Sequence, residues 1–160
     1  MSRVGPPKLR IVTTSRFVNI ILKEAQRIFS QFDIRVKMRI IEADYRSSNP
    51  DDPILELTLG WVASSAVGQG VRLLVDWVKG RRKETKGFGH VQYKTIEVAR
   101  SEAMYDLEKV NHVKNFEVFE MKCIKGSYQI VLQEKDTGRK HQYVITKTCN
   151  VKSYEVIPKQ

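Results

Sequence analysis

One stretch constrains the fold more than any other: LTLGWVASSAVGQGVRLLVDWVKGRRK, Leu57 to Lys83. It runs without charge from Leu57 to Val71, is rich in glycine, alanine and serine, and ends in a burst of cations. A chain that carries it must bury it against close neighbours or place it in a bilayer. Read as a helix from Leu57 to Val78, it sets Gly60, Ser64 and Gly68 four apart on one line, with Ala66 and Gly70 on the next. Small residues at that spacing admit another backbone at short distance, in membranes and in soluble cores alike. A spanning helix needs about 20 predominantly apolar residues. Extending this window meets Glu56 on one side and Arg72 and Asp76 on the other, at roughly 2.5–3.5 kcal/mol for a charge near mid-membrane. Arg72 and Asp76 are four apart and suited to pairing on one helix face. The favoured reading is a packed helix, with Leu73, Leu74, Val75, Trp77 and Val78 on its buried face and edges.

The flanking sequence supplies what such a helix packs against. Lys8 to Thr14 reads as a short strand rich in branched residues. Ser15 then serves as an N-cap for a helix whose stripe is Val18, Ile21, Leu22, Ala25, Ile28 and Phe32. Ile34 to Ala43 alternates, with Ile34, Val36, Met38 and Ile40 on one side and Arg35, Lys37 and Arg39 on the other. That is a strand with one buried and one cationic face. DYRSSNPDDP is a loop. Beyond the small-residue helix lies a basic connector, KGRRKETKGFGH. Val91 to Val98 reads as a strand, and the next segment as a helix aligning Ala103, Leu107 and Val110. Four alternating runs follow, beginning with FEVFEMKCI, where Phe119, Met121 and Cys123 alternate with Glu120 and Lys122, and SYQIVLQE; Gly138 suits the hairpin turn in KDTGR. The expected fold is α+β: a mixed sheet with an N-terminal β-α-β-α unit and a C-terminal antiparallel meander. It forms one domain over 1–160, with a subdivision possible near 80–89 between a 1–79 half and a 90–160 half. A chain of 160 residues can bury about two thirds of its unfolded surface, enough for a real core.

Charge narrows the partners. The formal net charge is +10, which favours nucleic acid, an acidic membrane surface or an acidic protein. Two cationic groups stand out as anion-binding candidates. One is the face of Arg35, Lys37 and Arg39. The other is the connector set of Lys79, Arg81, Arg82, Lys83 and Lys86, interleaved with Phe88, His90 and Tyr93, which are types able to stack on bases. Cations at a helix C-terminus also complement its dipole. The sole cysteines are Cys123 and Cys149. Two cysteines make no disulfide framework, and the opening residues lack a secretory signal. A cytoplasmic location is expected, with membrane association open.

Chemistry-bearing patterns are sparse. Asp51 and Asp52, with Glu120 and Lys122 two apart on a predicted strand, make a weak nuclease set, since such carboxylates and a lysine can hold a divalent ion and activate water. His90, His112 and His141 are scattered, and neither cysteine stands at metal-ligand spacing from them, so no metal site is expected. GQG and GFG lack the phosphate-loop pattern. No serine sits in a nucleophile elbow. No cofactor is implied.

Between Lys8 and Lys83, chiefly in LTLGWVASSAVGQGVRLLVDWVKGRRK, the chain resembles the effector-associated constant components of bacterial conflict systems. The resemblance implies a small accessory protein that couples sensing to an effector, with no catalytic residues. The expected function is thus a non-enzymatic adaptor that binds an effector protein or an anionic surface. Gly60, Ser64, Gly68 and Trp77 would form the partner face, and homo-oligomers are open to it. The alternatives are a nucleic-acid-binding module using the cationic strand and connector, and a metal-dependent nuclease.

Overall fold

The computed structural model describes residues 8–41, 54–60, 64–93, 95–147 and 151–158. Its strands and helices run Lys8–Val12 (β1), Val18–Ser30 (α1), Val36–Ile41 (β2), Ile54–Leu59 (β3), Ser64–Glu84 (α2), His90–Tyr93 (β4), Ile96–Tyr105 (α3), Phe116–Ile124 (β5), Ser127–Glu134 (β6), Lys140–Thr146 (β7) and Val151–Ile157 (β8). The strands form two four-stranded sheets, ordered β2-β3-β1-β4 and β5-β6-β7-β8. Every pairing is antiparallel. The class is α+β, with an N-terminal strand–helix unit and a C-terminal four-stranded meander. The succession β-α-β-β-α-β with this strand order is the split β-α-β, ferredoxin-like arrangement.

Alternation explains the first sheet. Leu9 and Ile11 of β1 and Leu55, Leu57 and Leu59 of β3 are buried, and Val36 and Met38 of β2 pack against the same core. On α1, Ile21, Ala25 and Ile28 are buried as the stripe requires, joined by Phe29. A 3-10 turn, Ser15–Phe17, precedes α1, so the helix begins at Val18, two residues later than a Ser15 cap would place it.

The largest departure from the sequence reading lies at 54–59. The run assigned to the start of a helix from Leu57 is pleated instead. Ile54–Leu59 pairs on both sides, Leu57 lying opposite Leu9 of β1 and Met38 of β2. A central strand is buried on its core face, so it reads as an apolar run that periodicity cannot tell from a helix. The N-terminal unit therefore gains a β2–β3 hairpin, and the helix begins at Ser64.

Smaller departures share one cause, local changes of period. β4 ends at Tyr93, and Ile96 and Val98 belong to α3 instead of a strand. After Tyr105 the chain makes a wider π-helical turn, Asp106–Val110. That turn keeps Leu107 buried but carries Val110 off the stripe to 55% exposure. A register shift in β5 between Val118 and Glu120 turns Phe119 outward, to 51% exposure. Gly138 has φ +74, as its turn position requires.

The two sheets share one hydrophobic cluster, from Leu9 and Ile11 through Val71, Leu74 and Val98 to Ile130, Leu132 and Tyr143. α3 joins them: it touches β1 and β4 on one side and β5 and β6 on the other, and packs along α2. Among the described residues no helix is long and apolar enough to cross a membrane.

Candidate nucleic-acid interface

The cationic face of the first sheet is assembled from three strands. Alternation sends Lys8 and Arg10 of β1 and Lys37 and Arg39 of β2 to the side opposite Leu9, Ile11 and Met38. Arg35, just before β2, has the same parity and is exposed. Register then aligns them across the sheet. Lys37, Thr58 and Lys8 form one row; Arg39, Glu56, Arg10 and Gln92 form the next. Glu56 is 1% exposed at the centre of the cations. Its Oε1 accepts from Arg39 Nε at 3.1 Å and lies 3.0 Å from Arg39 Nη2. Arg10 Nε stands 3.8 Å from Oε2, and Lys8 Nζ 3.9 Å from Oε1. Among the described residues, this face carries five cations and a single carboxylate, which three of them meet.

The connector reaches the β4 corner of the same face. Thr13 donates its hydroxyl to the Phe88 carbonyl at 2.6 Å. Gly89 adopts φ +113, and only glycine fits there, since a Cβ would lie 1.9 Å from the Val12 carbonyl oxygen. The glycines of GFG thus drop Phe88 into the core, against Phe17 and edge-on to Trp77. Phe88 is buried and offers no surface for base stacking. Arg82 lines a hollow of about 330 Å³ with Val12, Thr13, Thr14, Gly87, Gly89 and His90. Burial, and then the Arg82 charge, hold the His90 pKa below its ordinary value. Arg81 lies over the Phe88 ring at 5.5 Å. Lys83 and Lys86 are exposed. Lys79 faces the α2–α3 seam instead.

The small-residue ridge is occupied from within. A Cβ on Gly68 would lie 2.0 Å from the Ser101 carbonyl oxygen of α3, and one on Gly70 would lie 2.5 Å from the Phe29 ring of α1. Gly60 is off the helix altogether; it follows β3 and donates its N–H to the Arg35 carbonyl at 2.8 Å. Ser64 opens α2, its side chain lying outside the described residues. Trp77 is half-buried against Phe88. The close neighbour that the spacing demands is therefore the chain's own α3, and Gly68 presents no partner face.

The nuclease set falls only half within the described residues. Asp51 and Asp52 lie outside them, as does Cys149. Glu120 and Lys122 share the outer face of β5, exposed, in register with Val131 and Gln129. Among the described residues no three histidine, cysteine or acidic side chains are placed to hold a metal ion.

Sequence reasoning missed a polar seam where α2, α3 and the meander meet. Arg72 pairs with α3 instead of Asp76: its Nη2 is 3.2 Å from Glu102 Oε1 and 3.9 Å from Asp106 Oδ1. Asp106 Oδ2 accepts from the Tyr143 hydroxyl at 2.8 Å and from Asn111 at 2.9 Å. Tyr143 stacks on Tyr154, whose hydroxyl lies 2.8 Å from His141 Nδ1, and Glu134 meets His141 Nε2 at 2.7 Å. Burial, with the Asp106 hydrogen bond, pushes the Tyr143 pKa far up. The available signal was Glu102 and Asp106, two acids four apart on one helix, a repulsive pair unless a cation lies between them. Tyr143→Phe keeps the ring and removes one buried bond to Asp106; it should lower the unfolding free energy by about 1–2 kcal/mol in urea titration.

The sequence matches no family model and no curated protein.

Proposed function

We propose that this chain is a non-enzymatic nucleic-acid-binding module that lays a phosphate backbone across the outer face of its first sheet. The observation that carries the reading is the convergence of Lys8, Arg10, Arg35, Lys37 and Arg39 on one sheet face against Glu56 alone, among the described residues. The net charge of +10 supports it by drawing polyanions from a distance. Along β2 the cations repeat every second residue, about 6.8 Å apart, comparable with successive phosphates of an extended strand. Rigid strands hold that spacing better than a loop would. Arg82 extends the face at the β4 corner. The described outer face has His90 as its sole aromatic group, so phosphate contacts carry the binding and base identity matters little. A protein-recruiting role would use other surfaces, because the small-residue ridge faces α3.

Fluorescence anisotropy with a labelled single-stranded oligonucleotide tests this. About four phosphate contacts give a log–log salt slope near −2.8, so raising salt from about 50 to about 200 mM should weaken binding roughly 50-fold. The double variant Arg35→Ala/Lys37→Ala, at two exposed positions, should flatten that slope by about 1.4. Absence of binding at the lower salt, or a slope untouched by the variant, overturns the reading.

A further inference from the structure

Among the described residues Glu56 is the one carboxylate with five cations on this face; it ought to weaken phosphate binding, and Coulomb's law alone says that removing it would strengthen it. The geometry points to the opposite: we propose that Glu56 is a positioning residue, whose carboxylate holds Arg39 and Arg10 of its own cross-strand row, and Lys8 of the next, ready for phosphate, so that neutralising it weakens binding. This inference rests on the nucleic-acid reading above and deepens it.

Three observations carry it. Glu56 is fixed: it sits on the central strand, 1% exposed, between the partner strands that bear its cations. Arg39 is otherwise loose, at 68% exposure, yet two of its nitrogens, Nε and Nη2, meet the one oxygen Oε1. The guanidinium plane is thereby set, and the remaining donors on Nη1 and Nη2 are left for a second acceptor. Arg10 is drawn to the other oxygen at 3.8 Å while its buried Nε makes no hydrogen bond. Glu56 orients this group without satisfying it. Long cationic side chains lose rotamer freedom when a ligand fixes them. A carboxylate that has already fixed them in the free protein removes that loss from the binding step. The division of labour follows: Glu56 takes the inward donors, and the ligand's phosphate oxygens take the outward ones.

The test reverses the sign expected from charge. Glu56→Gln keeps the shape and makes the face more positive. It should bind the single-stranded oligonucleotide roughly fivefold or more weakly than the parent at low salt. Arg39→Ala should then weaken the parent more than it weakens Glu56→Gln, since the two act as a unit. In the free protein, the Arg39 Nε–H resonance should be slow to exchange and should be lost in Glu56→Gln while the backbone amide spectrum persists, a change that a merely structural role would not produce. Arg39→Lys guards against misfolding of the first variant. It lies at an exposed position and keeps the charge, yet it cannot place two donors on one oxygen, and it should also bind several-fold more weakly. Tighter binding by Glu56→Gln, or Arg39→Lys equal to the parent, overturns the positioning role while the cationic face stands. A parent that binds no oligonucleotide at low salt removes the face and this inference together.

Discussion

Gly68→Ala should destabilise the protein by about 3 kcal/mol or more, and Gly68→Leu should leave it unfolded at room temperature. Overpacking a core ordinarily costs about 1–3 kcal/mol, because side chains rotate away from the new atoms. That escape is closed at Gly68. A single Cβ would lie 2.0 Å from the Ser101 carbonyl oxygen and 2.6 Å from its carbonyl carbon, with Tyr105 Cβ at 2.8 Å. Backbone cannot yield without prising α3 from α2, and α3 is what joins the two sheets. Two other glycines of the same helix calibrate the effect. At Gly70 the atoms met are Cε1 and Cδ1 of the Phe29 ring, at 2.5 and 2.7 Å. A ring can shift, so Gly70→Ala should cost less than Gly68→Ala. At Gly80 nothing lies within 4 Å, and Gly80→Ala should raise stability by up to about 1 kcal/mol through helix propensity. Urea midpoints should therefore fall in the order Gly80→Ala, parent, Gly70→Ala, Gly68→Ala. A Gly68→Ala protein as stable as the parent would mean that the ridge faces outward, and would restore it as a partner surface.

That ridge shows what a sequence of this kind makes legible. Residues four apart and small do specify a close neighbour, and the neighbour exists. Its identity was hidden, because Ser101 and Tyr105 lie more than thirty positions downstream of Gly68 and carry no complementary signal. The alternation of Arg35, Lys37 and Arg39 against Val36 and Met38 was readable because a sheet with one solvated face has a strict period of two. Lys8 and Arg10 were not read as part of that face. Joining β1 to β2 requires β3 between them, and β3 was masked by its own apolarity: Leu55, Leu57 and Leu59 look helical when run into the segment that follows. The same misreading hid Glu56, which appeared as a charge interrupting an apolar window and is in fact the centre of the cation row. Val110 and Phe119 failed for a different reason. A wider turn and a strand bulge each break the period on which any face assignment depends, and neither leaves a composition mark.

Lowering the pH from 8 to about 5 should stabilise this protein relative to its Glu102→Gln variant, against the usual direction for a carboxylate. Glu102 is 2% exposed, and burial is the largest influence on its carboxyl, lifting the pKa from 4.5 to about 7. Arg72 opposes the rise; Asp106 adds to it, Lys79 opposes and Asp76 adds again. One oxygen, Oε2, has no hydrogen-bond partner, although the group borders a cavity of about 270 Å³ lined by Arg72, Asp76, Lys79, Asp106 and Val151. The sign follows from proton counting. Between pH 4.5 and 7 the folded chain keeps a proton that the unfolded chain has released, so unfolding free energy falls as pH rises through that window and levels off above it. The loss from this group is about 3 kcal/mol between pH 4 and pH 8. His90 acts oppositely: its lowered pKa makes stability rise with pH below its ordinary value. The difference between parent and Glu102→Gln isolates the carboxyl. Urea titrations from pH 5 to 8 should show the parent weakening relative to Glu102→Gln, whose amide cannot ionise. Arg72→Met, which removes the opposing charge, should move the transition upward in pH, because desolvation then acts with less resistance. Parallel pH profiles for the parent and Glu102→Gln would show that water or Arg72 compensates the buried carboxylate fully. The seam joining the two sheets would then keep its ion pair and hydrogen bonds with no proton linkage at neutral pH.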